Sequence, residues 1–320
     1  MIQRGELISA QRTIADQVHR TPLISSTLLG KRNNVHLHFK AETFQKTGSF
    51  KPRGSINKLY HLAKEKREKG VITISSGNHA QGFAYAASTW GIPAHVVMPH
   101  TTPPNKISAA KRYGAHVVLA DGDLLETALA IQKEHALTMV HPFDDPHIVA
   151  GHGTIGLEIM EDLPNVDAVF VPVGGGGLIS GVAAAIKLHK PKVKIVGVEP
   201  TGAAAMRQSL QQGVPVHLNK MDTIAEGLAA PFVGELNLAL VQRYVDELVL
   251  VSDDEILEAL FLILESCKIL TEPAGAAGFA ALLYNKAKIP MGSEVVCILS
   301  GGNIDRMRLR DFLQSQVRAR

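Results

Sequence analysis

Cysteine is scarce in this chain: among 320 residues only Cys267, in "LFLILESCKIL", and Cys297, in "EVVCILS", occur. Neither their number nor their spacing supports a disulfide framework or a zinc site, so two buried thiols in a reducing compartment are expected. Blocks of like charge are also missing. With a formal net charge of +3 and 20% charged residues, nothing marks a nucleic-acid or membrane surface. The N-terminal "MIQRGELISAQRTIADQVHR" lacks the continuous apolar run of a signal peptide or a spanning helix. A cytoplasmic protein is therefore expected. No internal repeat, low-complexity segment or long linker interrupts the sequence.

What is present is regular. From residue 71 the chain alternates short β-branched runs ("VITIS", "AHVVMP", "HVVLAD", "TMVH") with segments of helical period ("AQGFAYAASTWG", "NKISAAKRYG", "DLLETALAIQKEHA"). Such alternation predicts a parallel sheet of three or four strands covered by helices. After "HPFDDPHIVAGHG", whose Pro, Asp and Gly content reads as a connection, a second series follows: "AVFVPV", "KIVGVEP", "ELVLVSD" and "EVVCILSGGN", with helices between them. Two α/β domains packed around a cleft are expected, the second the larger.

Three strand-to-helix turns carry the chemistry. Gly174, Gly175, Gly176 and Gly177 separate a buried strand from a helix, a combination that exposes backbone N–H groups at the positive end of a helix dipole and makes an anion site. No Gly-Lys-Ser/Thr ending follows, which disfavours a nucleoside triphosphate with magnesium. A dinucleotide-dependent oxidoreductase is the rival from another class, because Glu199 ends the next strand where a ribose-binding acid would sit. Against it, Ser180 stands where that fingerprint wants a third glycine. A turn holding no ligand is the bland alternative. The turns "ISSGNHAQG" (74–82) and "LSGGN" (299–303) supply small donors, and all three should converge at the carboxyl ends of their strands. Lys51, in "KTGSFKPRGS", sits in an open Gly/Ser turn. A lysine's distinctive chemistry is a Schiff base with a carbonyl, and the cofactor that joins an aldehyde to a phosphate and a pyridine is pyridoxal 5′-phosphate.

With those residues in view, the sequence resembles the pyridoxal-phosphate enzymes of the tryptophan-synthase-β fold type, and within them the threonine/serine dehydratase and serine racemase family. The likeness spans nearly the whole chain, through "RTPL", "KAETFQKTGSFKPRG", "SSGNHAQGFAYAA", "HPFDDPHIVAGHGTIGLEI", "VPVGGGGLISG", "DTIAEG", "EPAGAAG" and "LSGGNID". It implies fold type II, with residues 1–62 and 148–320 forming a large cofactor-binding α/β domain and 63–147 a small mobile one. It implies that Lys51 is the Schiff-base lysine with Phe50 against the cofactor ring, that Asn78 faces the ring hydroxyl and Ser300 the ring nitrogen, and that Gly174 to Gly177 cradle the phosphate. Ser75, Ser76, Gly77 and His79 would receive the substrate, with Ser76 in the position that supplies racemases with a second base. The implied reaction removes the β-hydroxyl of L-threonine or L-serine to give 2-oxobutyrate or pyruvate plus ammonia. Racemisation and 3-hydroxyaspartate cleavage are the related alternatives. A neutral hydroxyl at Ser300 makes the ring a weaker electron sink than a carboxylate would, which suits elimination. The family also implies a homodimer or higher homo-oligomer, for which the apolar "DEILEALFLILESC" offers a surface; the alternative is a helix buried within the larger domain.

Departures from the family pattern sharpen the expectations. Ala205 stands where some relatives carry the second acid of a cation site beside Glu199, so no metal is expected there. His152 replaces a common glutamine and is expected to be a hydrogen-bonded core histidine rather than part of a zinc cluster with His141 and His147. Glu226 replaces a common aspartate near the presumed substrate side. Arg53 is one candidate cation for a distal substrate carboxylate. The chain is also expected to lack the regulatory domain of longer, isoleucine-controlled relatives.

Overall fold

The structure is a computed structural model that describes residues 1–319, with side chains to residue 315. Among the described residues ten strands form: β1 (Leu23–Ser25), β2 (His36–Ala41), β3 (Val71–Ile74), β4 (Ala94–Pro99), β5 (His116–Ala120), β6 (Thr138–Met139), β7 (Ala168–Pro172), β8 (Lys194–Pro200), β9 (Glu247–Val251) and β10 (Glu294–Leu299). They make a six-stranded sheet of order β1-β2-β10-β7-β8-β9 and a four-stranded sheet of order β5-β4-β3-β6. All pairings are parallel except β1 with β2. The three residues of β1 cap one edge and, with β2, were not legible as a strand pair in the α/β alternation.

Strand composition explains the layering. All five residues of β7 are buried, as required of a strand covered on both faces. Val169 and Val171 join a core cluster with Ile179 and Val182 of the helix Gly177–His189, while Phe170 points the other way toward Ile256 and Phe279. The Phe39 and Phe279 rings meet edge to face at 5.4 Å in that second cluster. The apolar helix Asp253–Cys267 buries Ile256, Leu260, Phe261 and Ile263 in the chain's own core. Its hydrophobicity therefore needs no second subunit.

The stretch 141–153, expected as a connection, is mostly helix. Asp145 caps the helix Pro146–Asp162 by accepting from the amides of His147 (2.8 Å) and Ile148 (3.2 Å), and Pro146 occupies its first turn. Glycine inside this helix reflects packing: a Cβ on Gly151 would lie 2.4 Å from the carbonyl oxygen of Arg53. The helix Lys51–Tyr60 thereby comes into backbone contact with Pro146–Asp162, just after the lysine.

Arg53 is fully buried and saturated. Its Nε and Nη2 donate to Glu42 (2.8 and 2.9 Å), Nη1 and Nη2 to Glu158 (2.6 and 2.9 Å), Nη1 to Thr154 (3.1 Å) and Nη2 to the His19 carbonyl (3.2 Å). Lys40, also fully buried, adds a 2.7 Å pair to Glu158. A guanidinium so engaged has no N–H left for a substrate, which removes Arg53 as a receptor for a distal carboxylate.

Candidate active site

Lys51 is the first residue of the helix Lys51–Tyr60. Its Nζ donates to the Pro142 carbonyl at 3.1 Å and lies 5.1 Å from the centroid of the Phe50 ring. Burial lowers its pKa from 10.5 to about 8. No neighbouring positive charge contributes to that lowering; the surroundings are neutral imidazoles. His79, His141 and His152 are each held below the ordinary histidine value, first by burial and then, wholly or in part, by the Lys51 charge.

The tautomer of His79 follows from its partner. The Thr73 hydroxyl donates its single hydrogen to the Val140 carbonyl (2.8 Å), so the 3.1 Å contact to His79 Nε2 requires Nε2–H to donate. His79 Nδ1 is left as a buried acceptor without a partner. His152 is buried, as expected of a core histidine, with the Gly177 backbone as a hydrogen-bond partner; its Nδ1 has no partner, and its ring packs edge to face on Phe50 at 4.7 Å. No cluster of three metal-ligating side chains exists among the described residues.

The glycine loop opens the helix Gly177–His189, and Gly176 takes φ +95°. A Cβ on Gly175 would lie 2.5 Å from the Phe143 ring, and one on Gly176 would lie 2.8 Å from Asn237 Cβ. Asn237 fixes the loop from behind, its Nδ2 donating to the carbonyls of Gly175 (3.0 Å) and Phe143 (3.1 Å). Among the described residues nothing accepts from the amides of Gly174, Gly175 or Gly176. Free N–H groups at a helix N-terminus, in a turn that admits no side chain, are what a phosphate requires.

The other two turns meet it. Ser75 and Ser76 precede the helix Asn78–Thr89, with the Gly77 amide donating to Ser75 Oγ at 3.2 Å. Ser76 Oγ has no protein partner among the described residues. Asn78 Nδ2 donates to Glu272 Oε1 (2.6 Å), and its Oδ1 accepts from Asn303 Nδ2 (2.8 Å). At the end of β10 the Ser300 carbonyl accepts from the Phe50 amide at 3.1 Å, while the buried Ser300 hydroxyl has no protein partner among the described residues. Contacts bring these groups near one another: the Phe50 amide meets the Ser300 carbonyl, a Cβ on Gly82 in the helix Asn78–Thr89 would lie 2.8 Å from Lys51 Cβ, and Pro142, which accepts from Lys51, precedes the Phe143 that packs on the glycine loop.

Across 14–301 the sequence matches the family model of the pyridoxal-phosphate-dependent enzymes. The chain belongs to this family. Its cofactor is pyridoxal 5′-phosphate and its architecture is fold type II. It is 48% identical to the L-threonine ammonia-lyase of Thermotoga maritima over 309 residues, covering 95% of this chain and 76% of that one. It is 39% identical to the L-threo-3-hydroxyaspartate ammonia-lyase of Saccharomyces cerevisiae, covering 98% and 96%. The solved structure of maize serine racemase superposes with a TM-score of 0.93 at 38% identity, over 99% of this chain and 98% of that one.

The residues present fit that cofactor. Unbonded loop amides suit its phosphate, a depressed lysine suits its aldehyde, and the partner-free Ser300 hydroxyl suits a ring nitrogen. The dinucleotide reading fails on Glu199, which is fully buried and spends its carboxylate on the amides of Met206 and Arg207, both at 2.8 Å. A carboxylate capping a helix cannot reach a ribose. Glu272, Asn303 and Asn237 were missed by sequence reasoning. Glu272 gave only the cap signal of "EPAG", and the rest are distant in sequence from the groups they hold.

Proposed function

We propose that the protein is a threonine/serine ammonia-lyase, converting L-threonine to 2-oxobutyrate and ammonia or L-serine to pyruvate and ammonia. The observation that carries this is Lys51: a buried amine whose pKa falls to about 8, tethered by one carbonyl, that of Pro142, next to the Phe143 that packs on the glycine loop. The names of its relatives agree with it.

When bound, pyridoxal 5′-phosphate supplies an aldehyde that bonds amines and a ring that draws electrons from the substrate Cα. The amides of Gly174 to Gly177 would hold its phosphate, Phe50 would lie against the ring, Asn78 would face its hydroxyl and Ser300 its nitrogen. Ser75, Ser76 and Gly77, at the positive end of the helix Asn78–Thr89, would receive the substrate carboxylate. His79, neutral and tied to Thr73, backs that turn and adds no charge. Lys51 as the free amine takes the Cα proton, the β-hydroxyl departs with a proton as water, and the released enamine takes up one water to give the 2-oxo acid and ammonia. The large unit is assigned to 1–62 and 148–320 and the small one to 63–147, since each segment contributes to one sheet. Self-association into a homodimer belongs to the same proposal; a monomeric mass by sedimentation at micromolar protein refutes it.

The test measures 2-oxo acid and D-amino acid together. Lys51→Ala is expected to abolish turnover, and Ser76→Ala to retain appreciable 2-oxo acid from L-threonine or L-serine. D-amino acid outpacing 2-oxo acid in the unmodified protein, with its selective loss in Ser76→Ala, makes Ser76 a second base and the protein a racemase.

A further inference from the structure

Glu226 stands in the short turn Glu226–Leu228 that closes on the site from the large unit. A Cβ on Gly174 of the phosphate loop would lie 3.2 Å from Leu228 Cα, and one on Gly227 would lie 3.7 Å from Glu272 Oε1, the atom that holds Asn78. Two cations converge on the Glu226 carboxylate. Lys106, from the helix Pro104–Arg112 beside the four-stranded sheet, donates to Oε2 at 2.8 Å. Arg308, from the helix Arg306–Ala319, donates to Oε1 through Nη1, and its Nη2 donates to the Ile224 carbonyl at 3.1 Å. Partial burial resists ionisation of Glu226, yet the two cations hold it below the ordinary carboxylate range. The same charges reach the site, since Lys106 and Glu226 act on the buried carboxyl of Glu272 in opposite directions.

We infer that Glu226 is a specificity-determining residue: by occupying Lys106 and Arg308 at the rim of the cleft, its carboxylate excludes substrates with a second carboxylate, the 3-hydroxyaspartate class. This inference rests on the proposed ammonia-lyase reaction and names which hydroxy amino acids the site admits. The methyl of threonine and the hydrogen of serine carry no charge and do not sense the trio. A distal carboxylate would meet Glu226 at the solvent-exposed rim, where the like charge repels it with a strength that salt screens, and would find both cations already paired.

The experiment compares kcat/KM for L-threonine and L-threo-3-hydroxyaspartate in the holoenzyme and in Glu226→Gln, whose amide is isosteric but uncharged. The expected result is a rise of about tenfold or more in the hydroxyaspartate-to-threonine ratio, carried by KM for the diacid, weakened by salt and reversed by adding Lys106→Gln. Glu226→Asp, which keeps the charge, is expected to leave the ratio low, and Glu226→Ser repeats the neutralisation should the glutamine variant fold poorly. An unmoved ratio with normal threonine turnover, or a gain that survives Lys106→Gln, overturns the assignment alone. Absence of both threonine and serine turnover in the unmodified holoenzyme overturns the proposed reaction, and this assignment with it.

Discussion

Lys51 shows how an amine is brought toward neutrality without a charged neighbour. Desolvation disfavours its ammonium form, and a single carbonyl acceptor leaves two of its three donors uncommitted. Incorporation of borohydride-fixable pyridoxal phosphate into the apoprotein should therefore rise with pH through about 8, not near the 10.5 of an ordinary lysine. Tracking fixed cofactor against pH by mass checks this; a midpoint above 10 counts against a buried amine. The partner-free hydroxyl of Ser300 and the unbonded amides of the glycine loop belong to the same economy, being groups held ready by backbone geometry rather than by ion pairs.

Secondary-structure elements bring these groups together through close backbone approach. Gly176 at φ +95° admits no other residue without strain, and a Cβ there would also press on Asn237. Gly176→Ala should weaken cofactor retention measurably by equilibrium dialysis while leaving far-UV dichroism unchanged. Gly151→Ala acts elsewhere: its Cβ, 2.4 Å from the Arg53 carbonyl, would pry two helices apart and cost about 1 to 3 kcal/mol in chemical denaturation. The helix after β8 depends on Glu199, whose pKa burial raises from 4.5 to about 7. Because the native state keeps that proton longer than the unfolded chain, stability from this group is full below 4.5 and lost as pH rises through about 7. Replacing Glu199 by Gln should flatten the pH dependence of the unfolding free energy across that window; an unchanged slope refutes it.

Across the fold, the buried cluster of Lys40, Glu42, Arg53 and Glu158 ties β2, the lysine-bearing helix and the helix Pro146–Asp162 into one unit. Burial resists ionisation of Glu42, but the Arg53 charge and hydrogen bonds outweigh it and hold its pKa below the usual 4.5. That contribution is complete above 4.5 and lost as pH falls through the lower native value. Glu42→Gln leaves Arg53 underpaired in a dry interior and should cost about 3 to 5 kcal/mol, read from urea denaturation. A loss under 1 kcal/mol would show that water reaches the cluster.

Local sequence was enough for the alternation of strands and helices from residue 71, because β-branched runs buried on two faces and helical periods are properties of short windows. It was also enough to single out the glycine loop, the serine turn and Lys51 as candidates, because their signal is carried by adjacent residues. The chain could not announce that Arg53 is spent on Glu42 and Glu158, that Glu199 caps a helix, that the apolar Asp253–Cys267 helix is covered by its own core, or that Lys106 and Arg308 share Glu226. The polar ones depend on which groups 7 to 120 positions apart come within hydrogen-bonding distance, and the apolar one on which helices and strands pack against it. Charge and burial are set by neighbours in space, so the availability of a side chain was decided only when the sheets and helices packed.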